Sequence, residues 1–348
     1  MARTTPPRPF DASADLPPLA PLARTATRLH PRAGAPSTRD SSVGGPLLWP
    51  ATEPWPHCDG PHVWDRRNPA PSPDGVRLQR RITEDAVRRA DGDPGALQYT
   101  PEELADHQRA REGRPWPDGP VPLLPVAQLY LRDVPSLRPP GPADLLQVLW
   151  CPFEHPAVPR TEMFWRTAAS VTDVLAAPPE PPVVQFSSYL PQPCLLFPEQ
   201  VTEYPHSAEL EDEVRRQMED CHTWQLDVDP HDVDPYEDEP TPQDVYDRSL
   251  SIAPGWKTGG WTRWGLTDPY PRLCGACGTA MDPLLTIASS EWGETSTSWI
   301  PDEDRDVPAS ALNPYPEQPT KVEIADGYDL QLYTCPSSPE HPHFALVQ

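Results

Sequence analysis

Proline is the residue that most limits how this chain can fold, because 54 of its 348 residues are prolines. A proline has no backbone N–H and is excluded from helix interiors and from central strands. Prolines spread this densely leave room for short strands, short helices and ordered loops. Twelve tryptophans and ten tyrosines oppose wholesale disorder, since disordered chains are poor in aromatic residues. The sequence therefore predicts a folded but irregular protein.

Two stretches of the sequence repeat one pattern of glycine, aromatic, proline and cysteine residues. One runs from Gly44 to Cys58, and the other runs from Gly259 to Cys274. The double glycine, Trp, Thr, acid, Pro, aromatic residue and Pro recur at the same offset, and only the cysteine is displaced, by one residue. Self-similarity of this kind is typical of a repeated structural unit.

A second pair of matching stretches closes each copy. Both contain Leu-Gln, then Cys-Pro, then Glu-His-Pro, and they lie at 146–156 and 330–342. Each follows a Pro-Leu-Leu sequence, which begins at Pro122 in the first copy and at Pro283 in the second. Because separate matches occur in the same order, we interpret the chain as an internal duplication.

The predicted fold class is α+β, mainly β. We expect an internally duplicated module with sandwich-like or barrel-like sheets of short strands, a few peripheral helices and long proline-rich loops. The predicted organisation is a disordered N-terminal tail at 1–40, a first half at 41–177 with a helical insertion at about 63–117, a connecting segment at 178–200, and a second half at 201–348 with an acidic helix and loop at 207–247.

Local signals place the helices and strands. The clearest helix begins at Thr100, which can form a capping box with Glu103, and Gly113 can end it. Apolar spacing predicts further helices at about 83–90, 161–176 and 207–221. Short apolar runs predict strands at 122–131, 145–151, 183–189, 284–288, 320–324, 328–334 and 343–347.

The net charge of −24 is concentrated in one segment. Residues 209–247 hold fifteen acidic side chains against Arg215 and Arg216. Because a strongly acidic chain repels phosphate, nucleic-acid binding is disfavoured. The segment is interpreted as a solvated helix and loop, with the alternative that it binds a basic protein partner.

The sequence indicates a reducing, non-membrane location. It has no run of about 18 apolar residues that could span a membrane, and its N-terminus lacks the apolar core of a secretion signal. We therefore predict a cytoplasmic protein, whose seven cysteines are expected to bind metal or to be buried as thiols rather than to form disulfides.

The second copy contains a Cys3His set. Cys274-Gly-Ala-Cys277-Gly has the form of a zinc knuckle, in which a tight turn directs both thiolates to one ion. Cys335 follows in the closing stretch, and His341 or His343 can supply the fourth ligand.

The first copy contains a Cys2His2 set at the corresponding places. Cys58 and His62 lie where the knuckle lies, and Cys151 and His155 lie in the closing stretch. Ligands that are all nitrogen or sulfur favour zinc. We therefore predict one or two structural zinc ions, with reduced core thiols or a redox pair as the alternatives. Cys194 and Cys221 have no counterpart in the repeat and are interpreted as packing residues.

These motifs resemble the YwqG-like family, a bacterial domain family of unknown function. The resemblance rests on Gly-Gly-Pro-Leu-Leu-Trp-Pro from Gly44, Pro-Val-Ala-Gln-Leu-Tyr-Leu-Arg-Asp from Pro125, Gly-Trp-Lys-Thr-Gly-Gly-Trp-Thr-Arg-Trp from Gly255, and Met-Asp-Pro-Leu-Leu from Met281. It implies a duplicated, mostly β fold with sandwich and barrel features, and no established activity, catalytic residue or cofactor. Ala288-Ser289 replaces the Ala-Gln of the first copy.

Three functional hypotheses follow. A zinc-stabilised binding or scaffold protein is favoured over an enzyme, because no nucleotide fingerprint, phosphate-binding loop or nucleophile motif is present. A narrower version is an immunity-type protein whose acidic segment masks a basic toxin. The third is a metal-dependent hydrolase with an open zinc position, for which Glu154 and Glu340 are the candidate carboxylates.

Overall fold

The computed structural model describes residues 2–62, 69–90, 96–155, 158–224, 240–305 and 316–348. The fold is mixed α+β with more strands than helices, and the strands form small antiparallel sheets that do not close into a barrel. The strands are β1 Arg24–Arg28, β2 Arg32–Ala33, β3 Ser42–Val43, β4 His57–Cys58, β5 Val121–Pro122, β6 Leu124–Tyr130, β7 Leu145–His155, β8 Val158–Arg166, β9 Cys194–Leu195, β10 Glu199–Glu203, β11 Lys257–Gly259, β12 Asp282–Ile287, β13 Leu330–Thr334 and β14 Phe344–Val347.

The helices are few and mostly short, as the proline content predicts. The α-helices are α1 Ala12–Asp15, α2 Pro73–Ala90, α3 Pro101–Arg111, α4 Asp212–Glu219 and α5 Pro242–Val245. The capping box expected at α3 is present: Glu103 N donates to Thr100 Oγ1, and Thr100 N donates to Glu103 Oε2. Among the described residues, no helix combines the length and apolar character needed to cross a membrane.

The chain forms two compact units, each with one six-stranded antiparallel sheet. Unit 1 comprises Met1–His30, Phe197–Arg305 and Asp329–Gln348, and its strand order is β10-β1-β11-β12-β13-β14. Unit 2 comprises Pro31–Leu196 and Asp306–Tyr328. Its strand order is β2-β9-β3-β6-β7-β8, and β4 pairs with β5 beside this sheet.

The two sheets have equivalent strands at every position, which is the pattern expected of a duplication. Ser42 on β3 pairs with Gln128, and its equivalent Lys257 on β11 pairs with Thr286. The sheet register therefore places Thr286 at the position of Gln128, and the strand bulge after Pro125 matches the bulge after Pro283. The sequence match of Pro122 with Pro283 is therefore wrong by three residues, since Pro125 is the structural equivalent of Pro283. A short apolar match carries no information on strand pairing.

The N-terminal residues differ from the predicted tail. Strand β1 is a central strand of unit 1, where it pairs with β10 and β11, and Ala26 and Arg28 are fully buried. Its equivalent in unit 2 is β9, because Leu29-His-Pro and Leu196-Phe-Pro follow the two strands at matching positions. The first strand of each copy therefore completes the sheet of the unit that holds the other copy's remaining strands.

Three predicted segments adopt other conformations. Residues 161–166 of the expected helix 161–176 belong to β8, which pairs with β7, because cross-strand packing overrides an ambiguous apolar spacing. The expected strand at 183–189 ends in a 3-10 turn at Ser187–Tyr189, and that at 320–324 contributes only an isolated bridge between Ile324 and Tyr328. Residues 225–239 of the predicted acidic segment lie outside the described residues.

A buried ion pair joins two strands of unit 1. Lys257 Nζ on β11 donates to both carboxylate oxygens of Glu203 on β10, at 2.6 and 2.8 Å. Both side chains are buried, and Glu203 also accepts from the backbone N–H groups of Ala253 and Trp261. Each polar atom of the carboxylate therefore has a protein partner, which compensates for its removal from water.

We expect Glu203→Gln to lower the free energy of unfolding by about 3–5 kcal/mol, because it leaves the Lys257 ammonium buried without a counter-charge. Urea unfolding followed by circular dichroism measures the loss. Adding Lys257→Met to Glu203→Gln should recover much of it, and Asp85→Ala, which breaks an exposed pair with Arg88, should leave stability nearly unchanged. A double variant no more stable than Glu203→Gln would contradict this account.

Candidate metal centres

The first cluster lies in unit 2, where β4 approaches the end of β7. Cys58 is the last residue of β4, and His62 follows it after a turn. Cys151 and His155 lie on β7, whose pairing with β8 shifts register between Trp150 and Glu154. Both cysteines are buried and both histidines are partly buried.

The ligand atoms of the first cluster converge. Cys58 Sγ lies 3.4 Å from His155 Nε2, and Cys151 Sγ lies 3.3 Å from His62 Nε2. The two imidazole rings are 4.9 Å apart and nearly perpendicular. All four ligand atoms lie within 4.8 Å of one another.

The second cluster lies in unit 1 at the tip of a short hairpin. A bridge between Leu273 and Ala280 closes the hairpin, and the N–H of Gly278 donates to the carbonyl of Cys274 at 2.8 Å. Gly278 has a φ of +71°, a conformation that glycine adopts without the strain of a Cβ. This turn places Cys274 and Cys277 on the same side of the hairpin, facing the residues that follow β13.

The ligand atoms of the second cluster are equally close. His341 Nδ1 lies 3.6 Å from Cys274 Sγ and 3.4 Å from Cys335 Sγ. Cys277 Sγ lies 3.5 Å from Cys335 Sγ. Cys274 and Cys335 are buried, His341 is partly buried, and Cys277 is exposed.

The two clusters occupy equivalent places in the two copies. The pairing of β4 with β5 corresponds to the bridge between Leu273 and Ala280, so Cys58 is the equivalent of Cys274. In the first copy, residues 59–120 are inserted into the tip of this hairpin and carry α2 and α3. His62, at the start of the insertion, supplies the fourth group in place of Cys277.

The spacing of these atoms fits a four-coordinate ion. Tetrahedral bonds of about 2.3 Å to sulfur and about 2.0–2.1 Å to nitrogen separate sulfur from nitrogen by about 3.5 Å and two sulfurs by about 3.8 Å. The sulfur–nitrogen separations of 3.3–3.6 Å and the sulfur–sulfur separation of 3.5 Å are close to these values. Both clusters could therefore hold a metal ion.

The protein surroundings set the protonation of the first cluster. Burial, followed by the neighbouring His62 and Arg160, lowers the pKa of His155 to about 4, and burial also lowers the pKa of His62. Both imidazoles are therefore neutral at pH 7, which is the form that binds a metal. Burial, followed by the charge of Cys58, raises the pKa of Cys151, so metal binding there requires loss of a proton.

Backbone donors shape the second cluster. Burial raises the pKa of Cys274, against hydrogen bonds from the backbone of Ala276 and Cys277. The contact with Thr279, whose Oγ1 lies 3.3 Å from Cys277 Sγ, lowers the pKa of Cys277. Burial opposes ionisation of Cys335, but hydrogen bonds from the backbone of residues 337–338 and from the neighbouring thiols lower its pKa to about 7. The surroundings of Cys277 and Cys335 thus favour thiolate, the ligating form of cysteine.

The structure brings together all eight residues that the sequence singles out, and it resolves one choice. His341 belongs to the second group, and His343 lies outside it. Among the described residues neither Glu154 nor Glu340 belongs to a group, and Cys194 and Cys221 also lie outside both. The contact of Thr279 with Cys277 was not predicted. The signal for it is the Cys-x-x-Cys-Gly spacing, which indicates a tight turn whose own residues lie next to the sulfurs.

Comparisons with known proteins do not assign these clusters. No protein-family model matches the chain, and no curated protein matches it. The case for a metal at either cluster therefore rests on the chemistry and geometry of the residues.

Cobalt is a direct probe of the ligand count at each cluster. Because the two clusters hold two and three cysteines, thiolate-to-cobalt charge-transfer absorbance should divide between them in the ratio 2:3. In the Co²⁺-loaded protein, Cys58→Ser/Cys151→Ser should retain about three-fifths of this absorbance and Cys274→Ser/Cys335→Ser about two-fifths, as the ligand counts dictate. Equal losses in the two variants, or absorbance unaffected by either, would contradict the assignment.

Proposed function

We propose that this chain is a zinc-stabilised binding or scaffold protein with one structural zinc ion in each unit. The observation that carries the proposal is the presence of four convergent nitrogen and sulfur ligands in each cluster, all within 4.8 Å of one another. Each ion would tie a hairpin to the end of a sheet strand, which is the role of a closed four-ligand site.

Ligand chemistry favours zinc over other metals. Thiolate and imidazole ligands suit Zn²⁺, whereas Mg²⁺ and Ca²⁺ take oxygen ligands. Neither group contains a carboxylate. All seven cysteines are free, which fits our proposal of a reducing compartment such as the cytoplasm.

The hydrolase alternative has less support. Four protein ligands leave no position for a reactive water. The carboxylate of Glu154, next to His155, accepts hydrogen bonds from Gln185 Nε2 at 2.9 Å and from Tyr189 Oη at 3.1 Å. Glu340 is exposed beside His341. Glu154 is thus held by other side chains, and neither carboxylate belongs to a cluster.

The binding part of the proposal is supported by exposed apolar side chains on unit 1. Tyr270, Leu273 and Phe344 are 36–57% exposed, although Tyr270 packs on Trp264 and Phe344 on Tyr333. Arg272, the neighbour of Leu273, lies over both Trp264 and Tyr333, which places the three side chains in one region. An exposed apolar patch is typical of an interaction surface. We also propose that the chain is of the YwqG-like type, on the glycine, proline and aromatic motifs of its two copies.

Elemental analysis tests the zinc proposal. The full chain, untagged and purified without chelator, should contain two zinc ions. Cys151→Ser and Cys277→Ser should each contain one, because each removes one of four ligands from a single cluster. Cys194→Ser and Cys221→Ser, which change cysteines outside the clusters, should keep both ions. Zinc-free wild-type protein would refute the proposal.

X-ray absorption at the zinc edge separates the structural role from the catalytic one. Closed shells predict five sulfur and three nitrogen ligands in total over the two sites, a mean of about 2.5 sulfur and about 1.5 nitrogen atoms per zinc ion with no oxygen. An oxygen ligand at either site would favour the hydrolase. Chelation should also lower the melting temperature if the ions stabilise the fold.

A further inference from the structure

We propose that the second cluster is a modification site for two-electron oxidants such as peroxides, which convert Cys277 and Cys335 to a disulfide and expel the metal ion. The release of the ion rests on the zinc proposed above. The reaction of the two thiols is a property of the protein itself and is tested separately below.

The two clusters differ in the solvent exposure of their cysteines. Cys58, Cys151, Cys274 and Cys335 are between 0 and 3% exposed, whereas Cys277 is exposed at the tip of its hairpin. The neighbouring residues Ala276 and Gly278 are also exposed, and a Cβ built on Gly278 would meet no atom within 4 Å. Cys277 is therefore the cysteine of the two clusters that a small oxidant meets first, while the sulfurs of the first cluster are covered.

A resolving thiol stands next to the exposed one. Cys335 Sγ lies 3.5 Å from Cys277 Sγ, and a disulfide bond is about 2.0 Å long. The sulfurs must approach by about 1.5 Å, which side-chain rotation at the exposed hairpin tip can supply. Gly275 and Gly278 flank the tip, and a Cβ on Gly275 would also meet nothing within 4 Å, so the hairpin has room to adjust.

The chemistry balances with peroxide as the only co-reactant. The Cys277 thiolate attacks one peroxide oxygen and the O–O bond breaks, which gives a sulfenic acid and hydroxide. The Cys335 thiolate then attacks the sulfenic sulfur and displaces a second hydroxide as the S–S bond forms. Two thiolates lose two electrons in total, hydrogen peroxide accepts them, and the two hydroxides become water on protonation.

Disulfide formation removes half of the ligand set. Only Cys274 and His341 would remain for the ion, and two protein ligands do not hold zinc in a structural site. In the first cluster both cysteines are buried. Oxidation would thus release one ion of two and leave unit 2 loaded.

The test uses the full, zinc-loaded chain treated with hydrogen peroxide, with released zinc followed by a chromogenic chelator and disulfides mapped by mass spectrometry. We expect one equivalent of zinc to be released together with a Cys277–Cys335 disulfide, and reducing agent plus zinc to restore the starting state. Cys277→His keeps four ligands, as in the first cluster, and should retain both ions under peroxide. Cys221→Ser, which removes the partly exposed thiol outside the clusters, should behave as wild type.

Three outcomes would overturn the inference: no zinc release at peroxide concentrations that oxidise free thiols, release of both ions at one rate, or a Cys274–Cys277 disulfide in place of the proposed one. Zinc content before oxidation tests the structural-zinc proposal independently. If the wild-type protein contains no zinc, peroxide treatment followed by disulfide mapping still decides the thiol reaction, because a Cys277–Cys335 disulfide is expected in the metal-free chain and its absence refutes the site.

Discussion

The hydrogen bonds that hold β7 between β6 and β8, and β13 between β12 and β14, set the position of both clusters. Cys151 directly follows Trp150, the last residue of β7 that pairs with β6, and Cys335 directly follows β13. Backbone pairing fixes a strand to within a residue, since a slip of one residue turns each side chain to the other face. The hairpins that carry Cys58, Cys274 and Cys277 therefore approach thiols that the sheets have already positioned.

The cluster residues could be predicted from the sequence because metal ligation imposes residue types and spacings that a short stretch displays. The spacing of Cys274 and Cys277 predicts a turn, and the repeat then identifies Cys58 and His62 as their counterparts. The choice of His341 over His343 could not be made in this way, because it depends on the path of the chain after β13. Spacing identifies candidates, and three-dimensional packing selects among them.

The fold was predictable in class but not in register. Alternating and proline-bounded runs indicate a mostly β chain, and the capping box at Thr100 marks α3 correctly. The segment that becomes β8 has an apolar spacing that suits a helix as well as a strand, and only its pairing with β7 decides. Likewise, nothing near residue 26 in the sequence reveals that β1 is a central strand, since its partners lie beyond residue 198.

The place of β1 has a consequence for the order in which the protein can be assembled. This strand is synthesised before β2 to β8, yet it pairs with β10 and β11, which are synthesised after the whole first copy. The sheet of unit 2 is likewise incomplete until β9, the equivalent of β1 in the second copy, has been synthesised. The sheet of the first copy therefore cannot be completed until synthesis of the second copy has begun, and β1 has no partner until β10 is made. Contacts between residues so distant in sequence form slowly. Until then β1 is an unpaired strand edge, the kind of segment that chaperones protect from aggregation.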